Sequence, residues 1–180
     1  MHCYGGKDLA ESFRTVRRNT VKIAEEIPED KYGFKATPDT KSVAQLLTHI
    51  ALLHRVPQQI HQTEKRKTLE GFNFPGIMQQ LGAEEATPRT KQQIIAMLTA
   101  DGEAWASYLE GLSDDFLAEE VAMPPGMQPA KKTRFEMLLS PKEHEMHHRG
   151  QLMLIQRMLG QTPHLTRARQ EQMAAAQSRG

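Results

Sequence analysis

Thiols are almost absent from this sequence: Cys3 is the single cysteine. That excludes an internal disulfide and any cysteine-based metal cluster, and it is compatible with a reducing compartment. An excess of charge is missing too, because 23 Lys and Arg stand against 22 Asp and Glu, a formal net charge of +1. No long-range field therefore draws the chain to nucleic acid or to an anionic membrane. The short basic runs EKRK at 64–67 and KKTR at 131–134 lack interleaved aromatic residues, which make up only 6% of the chain. They read as solvated faces rather than a binding surface. No stretch approaches the ~18 apolar residues of a membrane helix, and the opening MHCYGGKDLAESF has no signal-like apolar core. The expectation is a cytoplasmic protein without nucleic-acid or membrane partners.

Strand-length runs of period-two alternation are also lacking, and β-branched residues are sparse. Helical spacing takes their place. Leu9, Phe13, Val16, Ile23 and Ile27 form one stripe, with Thr20 filling the missing turn and Pro28 ending it. After the turn-rich PEDKYGFKATPDTKS, with cap candidates at Asp39, Thr40 and Ser42, a second helix begins near Val43. Pro57 is expected to break or kink it. Residues 58–86 read as a short helical tail followed by loop. A third helix is expected from Thr87 and Pro88 to Gly111, burying Ile95, Leu98, Trp105, Leu109 and Leu112. VAMPPGMQPAKK reads as loop. A fourth helix either starts at the SPKE capping box, with Ser140 as cap, or runs from Thr133 with a kink there; it ends at Gly160. The tail 161–180 is helix-prone but weakly apolar. These elements predict an all-α four-helix bundle in one domain spanning 1–180, with a core over about 7–160.

Histidine is what the chain has in concentrated form. PKEHEMHHRG, residues 141–150, holds three histidines and two glutamates. At ~100° per residue, His144 and His148 share a face with Leu152, Ile155 and Leu159, His147 falls on the flank, and Glu145 lies at the edge of the apolar stripe. An i, i+4 histidine pair can bring two imidazoles to one ion. The alternative is one hydrogen-bonded core histidine and one rim residue. His49 lies between Leu46 and Leu53 on the apolar face of the second helix, so a third imidazole also points inward. Three histidines with no cysteine would leave coordination positions open, the pattern of a catalytic rather than a structural site.

KSVAQLLTHIALLHR, followed about 95 residues later by HEMHHRGQL, resembles the DinB/YfiT superfamily. The resemblance reaches to about Gly160 and includes the signature His147, His148, Arg149, Gly150, Gln151. It implies a four-helix bundle in which His49, His144 and His148 hold one divalent metal. It further implies a metal-dependent transferase using a low-molecular-weight thiol such as bacillithiol or mycothiol, and a homodimer. Zinc suits three neutral imidazoles, and nickel or iron would fit as well. Glu145 or His147 could shuttle a proton, or hydrogen-bond a ligating imidazole. Arg149 is expected outward, in a structural ion pair.

Three other readings compete. A metal-activated water would make the protein a hydrolase acting on a small-molecule substrate. HEMHH also satisfies H-E-x-x-H, in which Glu145 would be the general base of a zinc peptidase. However, Gln151 and Leu154 stand where the longer form of that motif needs Gly and His, and no strand is expected to receive a peptide. Finally, the same three ligands could serve a non-catalytic metal-binding dimeric module. His54 and His61 are expected to be exposed, His2 and His164 to sit in terminal or loop segments, and the ten methionines to fill the core. Cys3 could act as a nucleophile only if the N-terminus folded over the site.

Overall fold

The structure, a computed structural model, describes residues 4–178, so His2 and Cys3 lie outside the described residues. Four long segments make the bundle: α1 (Gly6–Glu26), α2 (Val43–Leu52), α5 (Lys91–Glu110) and α7 (Arg134–Met158). α1 runs along α5, α2 also packs on α5, and α7 closes the bundle against α1 and α2. The all-α bundle expected from the spacing is the fold observed.

One core cluster gathers Ile23, Ile27, Leu47, Ile50, Ile94, Leu98, Leu152 and Ile155. A second, at the other end of the bundle, gathers Leu9, Phe13, Trp105, Leu109 and Leu138. The α1 stripe is buried as its spacing requires, with Thr20 fully covered and its hydroxyl donating to the Val16 carbonyl. Gly6 lets α1 begin against the end of α5, since a Cβ there would lie 2.6 Å from the Leu109 carbonyl oxygen. α2 opens on a capping box between Ser42 and Gln45.

Several boundaries differ from the sequence reading, each for a local reason. The second helix breaks at Leu53–His54, before Pro57. A proline ring clashes with the carbonyl four residues earlier, which is that of Leu53, so the disruption falls one turn ahead of the proline. Pro57 then closes the three-residue α3 (Arg55–Pro57), which leads into a π-helical turn over Gln58–Thr63. The later part of 58–86, read as loop, contains α4 (Phe74–Ala86), started by Asn73, whose side chain accepts from Gly76 N–H, and by Pro75 in the first turn. The third main helix starts at Lys91, because its cap is Thr90, in a capping box with Gln93, and not Thr87 followed by Pro88 as expected. Its buried isoleucine is Ile94, with Ile95 only partly covered.

Past a short α6 (Asp114–Ala118), the segment read as loop forms a small antiparallel hairpin, β1 (Glu120–Ala122) with β2 (Lys131–Thr133). Val121 is buried there with Ile60, Leu69 and Phe72, which ties the hairpin to the π-helical turn. α7 is continuous from a Thr133 cap through Pro141, so the Ser140 capping box is not used. The tail forms α8 (His164–Gln177), which has no buried residue and is held to α1 by Arg167–Glu26 at 2.6 Å and His164–Asn19 at 3.2 Å. No helix among the described residues is long and apolar enough to cross a membrane.

Candidate metal centre

α2 presents His49 from its last turn, and α7 presents His144 and His148 one turn apart. The three rings converge, with centroids 5.4 Å (His49–His144), 4.8 Å (His49–His148) and 4.6 Å (His144–His148) apart. One ring nitrogen from each lies within 4.8 Å of the other two, and Nε2 of His144 and of His148 are 2.9 Å apart. Two bonds of about 2.0–2.1 Å to one zinc-like ion span ~2.9 Å at a right angle and ~3.4 Å at a tetrahedral angle. The α7 pair therefore already has a chelating separation.

The groups behind the rings choose which nitrogen faces inward. His49 Nδ1 donates to Glu85 Oε1 at 2.5 Å, which leaves Nε2 with its lone pair. His148 Nδ1 donates to Gln151 Oε1 at 2.8 Å, with the same consequence, while the Gln151 amide N–H donates to His147 Nε2 at 3.2 Å. Metal-binding histidines characteristically have their second nitrogen fixed in this way. Glu85 is itself held by Lys41, 2.5 Å from its other oxygen. Burial alone would push the Glu85 carboxyl up, but the hydrogen bonds from Lys41 and His49 outweigh it and hold it below the usual carboxylate range. Burial, then the neighbouring histidines, lowers His144 to about 4, and burial also lowers His148. Both rings are neutral donors near neutrality. Three convergent imidazoles, two of them oriented from behind, fit a divalent cation.

The helical phase differs from the sequence reading. The buried face of α7 is centred on Leu138, Pro141, Glu145, Leu152, Ile155 and Gln156. That centre lies ~80° around the helix from His144. His144 is exposed and His148 partly covered, so the pair borders the core instead of lying in it. Glu145, expected at the edge, is completely buried. Its two oxygens accept from Arg17 Nε at 3.0 and 3.1 Å, and Arg17 also donates to the carbonyls of Leu98 and Ile50. The countercharge from α1 is what allows a glutamate to occupy the core face. Glu145 thus points away from the imidazoles, while His147 is exposed beside them. Arg149 is partly covered rather than outward.

A cavity of about 730 Å³ opens beside the rings, lined by His49 and His144 together with residues of α2, α4, the hairpin and α7. His61, expected to be exposed, is fully buried in its wall; Nδ1 accepts from Arg134 at 3.0 Å and Nε2 has no partner. Burial, then the charge of Arg134, lowers His61 to about 4. His54 is likewise buried, packed beside Trp105, and lowered to about 4 by burial first and Arg17 next. Glu85 and Arg17 were missed from the sequence. Glu85 lies 36 residues from His49 in a segment taken for loop, and Arg17 interrupts the α1 stripe as an apparently outward charge.

The sequence model of the DinB superfamily matches residues 12–152. No curated protein matches the chain.

Proposed function

The chain belongs to the DinB superfamily, and from that premise we propose that it holds one divalent metal ion on His49, His144 and His148 and works as a metal-dependent thiol S-transferase on small electrophiles. The observation that carries the metal is the convergence of three imidazoles, two with Nδ1 already committed to Glu85 and Gln151. Zinc is the first choice for neutral nitrogen donors, with nickel or iron as the other candidates. A cation there would lower the pKa of a low-molecular-weight thiol, ordinarily ~8.5, and so raise its nucleophilic fraction at neutral pH.

The protein's own groups bind and orient. Glu85 and Gln151 fix the ring planes, the cavity holds the electrophile beside them, and the exposed His147 is the nearest candidate to pass a proton to solvent. Glu145 serves the fold through Arg17, and its burial disfavours the peptidase reading, in which it would act as general base. Water in place of the thiol would give a hydrolase at the same centre. A homodimer is part of the proposal, supported by Met146, Leu154 and Met158 exposed on the outer side of α7.

Metal analysis of the purified protein beside His49→Ala, His144→Ala and His148→Ala is the direct test. Roughly one equivalent in the parent and a large loss in each variant is expected; equal content in all four would end the metal reading. Conjugation of a thiol to a generic electrophile should then be abolished by chelation. Activity indifferent to chelator would reject the transferase.

A further inference from the structure

Among the described residues, α4 is the one helix of more than eight residues, other than the tail helix α8, in which no residue is buried. Its residues Phe74, Met78, Leu81 and Glu85 nevertheless share one helical face, and all four line the cavity beside the imidazoles. Phe74 is 37% and Met78 53% exposed, and Met127, from the hairpin turn on the opposite wall, is 50% exposed. Large apolar side chains left uncovered around one concavity mark a place where something apolar is received. The deeper wall is apolar as well, with Leu52, Val56, Ile60 and Leu69.

Most of the charges around the cavity are already engaged. Glu85 is held by Lys41 and His49, and Lys132 lies 3.1 Å from Glu136. Apart from the proposed metal ion at the imidazole end, the lining therefore offers no uncommitted cation for an anionic ligand, and Glu143 beside His144 would repel one. Four of the lining residues are methionines, at 78, 123, 127 and 137. Unbranched thioether side chains repack around differently shaped contents, so the wall tolerates variety in outline while remaining apolar.

We propose that this cavity is a binding site for small, uncharged molecules with an apolar body, seated between α4 and the hairpin with their reactive end directed at His49 and His144. A volume of about 730 Å³ lies within the usual range for one such molecule. The proposal deepens the reading above and rests on it for the chemistry at the imidazole end. Binding of the apolar body does not require the metal. Aryl or alkyl electrophiles of varied outline are the substrates this lining favours.

The test is fluorescence titration of the full chain with N-phenyl-1-naphthylamine, an uncharged apolar dye that brightens away from water. Saturable one-to-one binding is expected, displaced by 1-naphthol and unaffected by glycolate at the same concentration. Met78→Glu and Leu81→Glu, both at incompletely buried positions, should each weaken the dye at least tenfold with helix content unchanged. Leu154→Glu, on the outer side of α7, should leave it within twofold. Metal-stripped full chain should also bind the dye within twofold of the untreated protein, so failure of the metal reading and failure of this one give different results. No saturable binding, or binding that ignores both α4 variants or is lost equally in Leu154→Glu, overturns the proposal. Equal displacement by glycolate overturns the ligand class.

Discussion

Glu145 stands next to His144 in the chain, yet its side chain belongs to a different construction. Arg17 ties four helices together: it pairs with Glu145 on α7 and donates to Leu98 on α5 and to Ile50, the residue after His49, on α2. Both partners are nearly or fully buried, so removing one leaves a charge without compensation. Arg17→Met or Glu145→Gln alone should lower stability by about 3–5 kcal/mol, measured by urea unfolding. The double variant Arg17→Met with Glu145→Leu should recover part of that loss. Recovery cannot be complete, because the Leu98 and Ile50 carbonyls still lose a donor, at about 1 kcal/mol each. Gly102 belongs to the same arrangement, since a Cβ there would lie 2.9 Å from Arg17 Cγ. Gly102→Ala should displace the guanidinium and cost roughly 1–3 kcal/mol.

At the scale of the element, α4 carries the group that orients His49 while contributing no buried residue to the core. Its local stability is therefore low, and its cap matters more to it than to the whole. Asn73→Ala should cost α4 about 1 kcal/mol and speed amide exchange over 74–86, with the global unfolding midpoint almost unchanged. Glu85→Ala removes the carboxylate behind His49 and should weaken metal affinity roughly 10–100-fold, read by competition with a chelating dye. A helix like this is hard to see in a sequence. FPGIMQQLGAEEA has two glycines and a weak stripe, and only Asn73 followed by Pro75 announced its start. By contrast, α1, α2 and α7 were legible because each buries a regular stripe, and the three histidines were legible because i, i+4 spacing on one helix and one apolar-face residue on another survive small errors of phase. The phase of α7 was misjudged for a physical reason: hydropathy treats glutamate as outward, and only the tertiary partner Arg17 reverses that. The break before Pro57 and the burial of His61 likewise depend on what lies across the fold.

For the whole molecule, two histidines buried away from the candidate metal centre set an acid limit on stability. His54 and His61 are each lowered to about 4 in the folded state, chiefly by burial, from about 6.5 when exposed. Arg17 and Arg55 add to the shift at His54, where Asp101 opposes it, and Arg134 adds to it at His61. Above pH 6.5 both groups are neutral in the folded and unfolded chains, and neither contributes. As pH falls from 6.5 toward 4, the unfolded chain binds protons that the folded chain refuses, so stability drops; below 4 the two states bind alike and the loss levels off. At pH 5 the loss is roughly 2 kcal/mol for each histidine. Metal-stripped protein should accordingly show a urea midpoint that is flat above neutrality and declines steadily across this window. His54→Leu removes one of the two titrations without emptying its place beside Trp105. That variant should have a shallower decline between pH 6.5 and 4, and a slope identical to the parent's would show that His54 does not stay neutral in the folded interior.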